Sequence, residues 1–188
     1  MGSASMANYN SAGRPYNPSG SGSREQGTEN RDEFWMRRAL DLASEAAQAG
    51  EVPIAALVVY QDEIVAQAAN LKEANRDPLG HAEILVIRKA ADLLGRWRLS
   101  GCTLYVTLEP CTMCAGAIVH ARVDRVVYAA KDPKAGAVHS LYQILADERL
   151  NHLPQVVSGV LEADAAKQLK DFFRALRARN AAPLPQEG

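Results

Sequence analysis

The pair of segments His81-Ala82-Glu83 and Pro110-Cys111-Thr112-Met113-Cys114, separated by residues 84–109, constrains this chain more than any other feature. His81, Cys111 and Cys114 are metal ligands by chemistry, an imidazole and two thiols suited to zinc. Groups so far apart in sequence can hold one ion only if the fold brings them together. Structural zinc sites usually fill all four positions with protein atoms, whereas catalytic sites leave one open to water. Three ligands with a spare carboxylate, Glu83, therefore point to a metal that activates water.

The spacing also predicts local structure. Cys111 and Cys114 are three residues apart at an expected helix start, which puts both sulfurs on one face of the first turn. The partial positive charge at a helix N-terminus favours thiolate over thiol there. Pro110 precedes that turn, where its missing N–H costs nothing. His81 and Glu83 are two apart and would point to nearly opposite faces in mid-helix. They serve one site only if their helix aims its end at the metal, and Gly80 suits a chain entering there. The expectation is two helix N-termini converging on one zinc ion. Zinc lowers the pKa of bound water to about 7, and Glu83 within hydrogen-bond reach can accept the proton and pass it to a leaving group.

Alone, a C-x-x-C is often structural or redox-active, and a His-x-Glu is usually a solvated helix face. Combined in this order around a helix and a strand, they match the H-x-E…P-C-x-x-C signature of zinc base deaminases.

The 188 residues suffice for one domain of ordinary size. A chain of about 150 residues buries enough surface to fold without disulfides or a structural metal. The net charge of −1 announces no basic partner surface, so a nucleic acid would have to be held by local patches. Three cysteines make no disulfide framework and fit a reducing cytosol. Cys102, at a strand start, reads as a small buried hydrophobe. The first 30 residues lack the apolar run of a secretory signal, and no later stretch is long enough to span a membrane.

Residues 1–30, rich in Gly, Ser, Asn and Pro, read as a disordered tail or expression segment, and 181–188 as a frayed end. Between them, helices are expected over Arg31–Ala49, His81–Leu94, Cys111–Ala121 and Ala163–Arg179, with a short one near Leu141–Asp147. Strands are expected over Ile54–Tyr60, Ile64–Ala69, Thr103–Leu108, Arg125–Ala129 and Gln155–Val160, and loops over Asn70–Gly80 and Lys131–Val138. The alternation implies an α/β layered domain with a partly parallel sheet.

From about Phe34 to Arg179 the chain resembles the bacterial tRNA-specific adenosine deaminases, within the cytidine/deoxycytidylate deaminase superfamily. The resemblance rests on Gly50-Glu51-Val52-Pro53, Asn70, Asp77-Pro78, His81-Ala82-Glu83, Thr107-Leu108-Glu109-Pro110-Cys111 and Met113-Cys114-Ala115-Gly116-Ala117. Further along it rests on Arg125-Val126-Val127-Tyr128, Asn151-His152 and Asp171-Phe172-Phe173-Arg174. It implies a three-layer α/β/α, cytidine-deaminase-like fold around a five-stranded mixed sheet, and a homodimer with the active site near the subunit interface. It implies hydrolysis of wobble adenosine to inosine in the tRNA anticodon loop, most plainly in tRNA-Arg with an ACG anticodon.

By position, His81, Cys111 and Cys114 would bind one zinc per subunit, and Glu83 would carry the proton. Asn70 would contact the flipped adenine and its sugar, Val52 and Pro53 would line the pocket, and Ala82 and Leu108 would neighbour it. The chain departs from the family at Leu79-Gly80, where Thr-Ala is common, and at Val138-His139-Ser140, where Ala-Gly-Ser is common. His139 reads as a solvated loop residue or an RNA contact.

Phosphates need cations even at this net charge. Lys131 and Lys134 lie in the loop after the fourth strand, and Lys167, Lys170, Arg174, Arg177 and Arg179 lie on the last helix. One of Phe172 and Phe173 should face the core while the other stacks on a loop base. Two alternatives stay open: a small-molecule deaminase acting on guanine, cytosine or a nucleoside, and a silent RNA-binding subunit, which the presence of Glu83 argues against.

Overall fold

A computed structural model describes residues 31–181, so the expected tails over 1–30 and 182–188 lie outside the described residues. The first helix, α1 (Arg31–Gln48), buries Met36, Ala39, Leu40, Ala43 and Ala46 along one face, the helical spacing of an amphipathic element. Two strands follow, β1 (Ala55–Tyr60) and β2 (Glu63–Ala69). Gln61 and Asp62 join them with φ of 50° and 64°, the left-handed pair of a two-residue hairpin turn.

A single turn, α2 (Lys72–Asn75), leads into α3 (Ala82–Leu94). Then come β3 (Cys102–Leu108), α4 (Thr112–Ala121), β4 (Arg125–Ala130), β5 (Gln155–Ser158) and α5 (Glu162–Ala181).

The strands form one sheet in the order β2-β1-β3-β4-β5. β1 runs antiparallel to β2 and β3, whereas β3, β4 and β5 are mutually parallel. Alternation along the central strands divides the core. Ala56, Val58, Leu104, Val106, Val126 and Tyr128 face a layer formed by α3 and α4. Leu57, Val59, Tyr105, Val127 and Ala129 face α1 and α5. The expected three-layer α/β/α architecture with a five-stranded mixed sheet is therefore present, and its central strands are near-continuous apolar runs because both faces are covered. Cys102 is buried at the start of β3, as expected.

This topology places the site. β3 and β4 end at one edge of the sheet. β1, running against β3, begins at that edge, and β2 returns to it. Residues 52–53, 70, 108–111 and 131 are therefore neighbours although they are scattered along the chain. The amide of Ala55 donates to Thr107 Oγ1 at 3.1 Å and ties the start of β1 to the end of β3 there.

Three expectations needed revision. The segment near Leu141–Asp147 holds only a short 3-10 turn, Ile144–Ala146. The amides of Leu141 and Ile144 donate to the carbonyls of Gly136 and Ala137, so the backbone is spent on the preceding loop and not on a helical ladder. Residues 70–80 are not wholly loop, because α2 forms where the amide of Ala74 donates to the Glu51 carboxylate at 2.7 Å. Finally, β5 stops at Ser158, since Gly159 adopts a φ of 83° that turns the chain out of the sheet.

One polar tie crosses the α1 layer. Arg125 donates both guanidinium nitrogens to Asp32 at 2.8 and 2.7 Å, and Tyr105 Oη adds a third bond at 2.9 Å. Hydrogen bonding from Arg125, aided by Tyr105, holds the Asp32 carboxyl below the ordinary carboxylate range against the opposing effect of burial. A depressed carboxyl stabilises the fold above its unfolded pKa of about 3.9, and that stability is lost as the pH falls through the folded value. Asp32→Ala should therefore cost about 1–3 kcal/mol at pH 7, by leaving a half-buried guanidinium unpaired. Urea unfolding should show the gap to wild type closing as the pH falls below about 4.

Candidate active site

His81 and Cys111 occupy equivalent positions. Each is the N-cap residue of its helix, with extended backbone at φ −77°, ψ 142° before α3 and φ −74°, ψ 176° before α4. Neither side chain caps its own helix, so both are free to point away from the helix end. α3 and α4 pack side by side on one face of the sheet, and their starts meet.

His81 Nδ1 lies 3.7 Å from Cys111 Sγ and 3.6 Å from Cys114 Sγ. The three ligand atoms all fall within 4.8 Å of one another. A tetrahedral ion with Zn–S of about 2.3 Å and Zn–N of about 2.0–2.1 Å separates a sulfur from a nitrogen by about 3.6 Å. The donor set and its spacing therefore fit a metal such as zinc.

Proton positions in this cluster follow the same geometry. The neighbouring Cys114 thiol, with the His81 imidazole, lowers the Cys111 thiol to about 3 against the opposing effect of burial. Hydrogen bonding to Cys111 and burial push Cys114 up. The Cys111 sulfur in turn raises the imidazole pKa of His81. Binding of a metal by these groups would have to expel the protons they hold without it.

Glu83 sits in the first turn of α3, buried, with its carboxylate against Cys114. It stands outside the three-residue ligand group. Burial raises its carboxyl, the state suited to holding a transferable proton. Ala82, fully buried, brings the first amide of α3 to the same place.

The remaining expected residues fall in two groups. Val52, Pro53, Asn70, Leu108 and Lys131 lie at the sheet edge described above. Asn70 is 3% exposed, and its amide N–H donates to the Ile54 carbonyl at 2.9 Å. Its side chain makes no hydrogen bond among the described residues, which leaves a buried amide available to a ligand. Lys131 follows β4 directly and is exposed.

Phe172, Phe173 and Arg174 lie instead on α5, in the layer on the opposite face of the sheet from α3 and α4. The two rings pack edge to face with centroids 5.5 Å apart, Phe172 half-buried and Phe173 exposed. Arg174 pairs with Asp171 at 2.5 Å.

The departures at the rim are visible too. Gly80 is buried, and a Cβ there would come within 3.0 Å of the Leu71 carbonyl, tight for the alanine common in the family. The exposed His139 places Nδ1 2.6 Å from Tyr128 Oη.

Two clefts of about 630 and 420 Å³ lie elsewhere, around Trp35 on α1, and contain none of these residues.

Sequence reasoning assigned no role to two buried acids, Glu51 and Glu109. Glu51 braces α2 through Ala74, as described. Glu109 is buried beside Pro110, and burial alone would raise its carboxyl. The Ser140 hydroxyl and the amides of His139, Ser140 and Asp132 outweigh that and hold it at about 2. The signal was present as an acid at the end of an apolar strand, immediately before the Pro-Cys.

Comparison with known proteins agrees with this geometry. Residues 30–177 match the model of the MafB19-like deaminase family. The tRNA-specific adenosine deaminase of Bacillus subtilis (strain 168) is 51% identical over 151 residues, covering 80% of this chain and 94% of that protein. The chain belongs to the tRNA-specific adenosine deaminase family. A family member from Haemophilus influenzae is 44% identical, covering 78% of this chain and 85% of that one. A solved structure from studies of A-to-I editing by tRNA:A34 deaminases at the wobble position is 45% identical with a TM-score of 0.70, covering 72% of this chain and 99% of that one. The guanine deaminase of Bacillus subtilis is a more distant structural neighbour, 32% identical with a TM-score of 0.53, covering 82% of this chain and 97% of that one.

Because both core clusters form without any ligand atom from His81 or Cys111, metal binding and folding should separate. His81→Ala and Cys111→Ala are each expected to lose the metal after zinc loading, as read by metal analysis. Their far-UV circular dichroism should stay that of the wild type.

Proposed function

We propose that the chain is a zinc-dependent hydrolase that converts wobble adenosine to inosine in tRNA, with the ACG-anticodon arginine tRNA as its substrate. We take residues 31–180 as the catalytic domain of a cytoplasmic homodimer carrying one zinc per subunit. The observation that carries this reading is the His81, Cys111 and Cys114 cluster beside buried Glu83, on the sheet edge that also presents Asn70. Among the described residues no helix is long and apolar enough to cross a membrane.

His81, Cys111 and Cys114 would hold the zinc, which when bound supplies a Lewis acid that makes water acidic near neutral pH. Glu83 takes one proton that the water loses. The water oxygen bonds to C6 of adenine as N1 takes the other water proton. Glu83 carries its proton to the amino nitrogen, the C6–N6 bond breaks, and ammonia leaves a C6 carbonyl with N1 protonated. Asn70, with its side-chain amide unspent within the protein, orients the extruded base. Val52, Pro53 and Leu108 wall the pocket and exclude water, and the Ala82 amide faces the reacting centre.

The base must leave its stack, and an anticodon loop presents it at low cost. Exposed Lys131 and Lys134 meet phosphate. On α5, Phe173 is 40% exposed and is the ring free to stack on a loop base, with Arg174 beside it.

The test uses zinc-loaded protein and an anticodon stem-loop, in which reverse transcription should read the wobble A as G. Absence of conversion would remove the reading. Glu83→Ala should keep metal and RNA while losing about 10²–10⁴-fold in kcat. RNA affinity should fall steeply with salt, as multiple phosphate contacts require. The likeness to guanine deaminase keeps a small-molecule reading open. Ammonia released from free guanine, cytosine or a nucleoside, with salt-insensitive kinetics, would favour it.

A further inference from the structure

Glu109 belongs neither to the metal cluster nor to the expected pocket wall, yet five donors converge on it. Oε1 accepts the amides of Val138 at 3.1 Å, His139 at 2.7 Å and Ser140 at 2.8 Å. Oε2 accepts the amide of Asp132 at 3.0 Å and the hydroxyl of Ser140. All five partners lie in residues 132–140, the loop after β4.

The same loop is stitched to the cysteine turn. Gly136 forms an isolated antiparallel bridge with Cys111, and the Ala137 amide donates to the Pro110 carbonyl at 2.8 Å. The Glu109 amide donates to the Ala130 carbonyl at 2.8 Å, closing the other side. Gly136 is the residue that lets the loop come this near, because a Cβ there would overlap Glu109 Cδ and stand 2.6 Å from the Asp132 carbonyl oxygen.

The donor set dictates the acceptor. A carboxylate offers only acceptor sites on both oxygens, about four lone pairs in all, whereas a carboxamide would turn two N–H groups toward donors already present. Asp132 adds its own constraint, its carboxylate accepting the amides of Lys134 at 2.9 Å and Ala135 at 3.2 Å. The loop is thereby folded around one buried anion, with Lys131 and Lys134 exposed on it.

We propose that Glu109 is a positioning residue for substrate: its carboxylate fixes residues 131–140 against Pro110 and Cys111 and so sets where Lys131 and Lys134 stand relative to the metal cluster. This rests on the reading of the chain as an RNA deaminase. Glu109 touches no reacting atom. It acts through the loop, on binding more than on chemistry.

The experiment compares full-length, zinc-loaded wild type with Glu109→Gln and with the milder Ser140→Ala. It reads zinc per chain, amide hydrogen exchange, and KM and kcat on the anticodon stem-loop. Glu109→Gln should keep one zinc and normal exchange in β1 and β3, while the amides of residues 132 and 138–140 exchange at least about 10-fold faster. Its KM should rise about 10-fold with kcat within about 3-fold of wild type.

Ser140→Ala should move both in the same direction by less, and it decides the matter if Glu109→Gln does not fold. Unchanged exchange in residues 132–140, an unchanged KM, or loss of zinc without a change in the loop would each overturn the proposal. A wild-type protein inactive on the stem-loop would fault the substrate assignment instead, and the exchange measurement would still judge the positioning role.

Discussion

The arrangement of this protein depends on two helices starting at the same point. His81 and Cys111 are both N-cap residues with extended backbones, and their side chains leave the helix ends and do not fold back to cap them. That is the only way residues two apart, His81 and Glu83, can address one site, since along a continuous helix they would diverge. It also places the partial positive ends of two helices beside two sulfurs, an environment that favours thiolates and hence metal. α3 and α4 can meet in this way because both lie on the same face of the sheet, anchored by Val86, Ala90, Ala115 and Ile118 in one apolar cluster.

The sheet supplies what the helices cannot. Its mixed direction brings the ends of β2, β3 and β4 and the start of β1 to one edge, so the metal cluster, Asn70 and the loop after β4 become neighbours. Two buried carboxylates then fix the loops on either side. Glu51 holds the turn that follows Asn70, and Glu109 gathers the loop that carries Lys131 and Lys134. Both acids accept backbone amides of these loops, among them the buried Val138 amide, which has no water to turn to. Around the His81, Cys111 and Cys114 cluster, Glu51 and Glu109 are thus the acids that hold the backbone in place.

Much of this was legible in the chain. The spacing within Cys111-Thr112-Met113-Cys114 and the pairing of His81 with Glu83 required helix starts aimed at a common point, and the alternating apolar strands foretold a covered sheet. The helices and strands lie within a few residues of their expected places. Asn70, Val52 and Pro53 were named only through family resemblance, because nothing in their own spacing marks them.

Other features could not be read from pattern at all. Asp32 and Arg125 are far apart in sequence, and each is an ordinary charge until the fold pairs them. The stretch around Leu141 had helical composition, yet its amides were claimed by Gly136 and Ala137, a tertiary choice that no local propensity reveals. Glu109 looked like one more acid in a motif. Only its burial and five converging donors show what it does.

Two helix starts meeting at His81, Cys111 and Cys114 should build an open three-ligand metal site. X-ray absorption at the zinc edge of the loaded protein tests it most directly. Two sulfurs at about 2.3 Å and two lighter atoms at about 2.0–2.1 Å are expected, one from His81 and one not from protein. A third sulfur, which would have to come from Cys102 at the far end of β3, or a protein that retains no zinc, would contradict it.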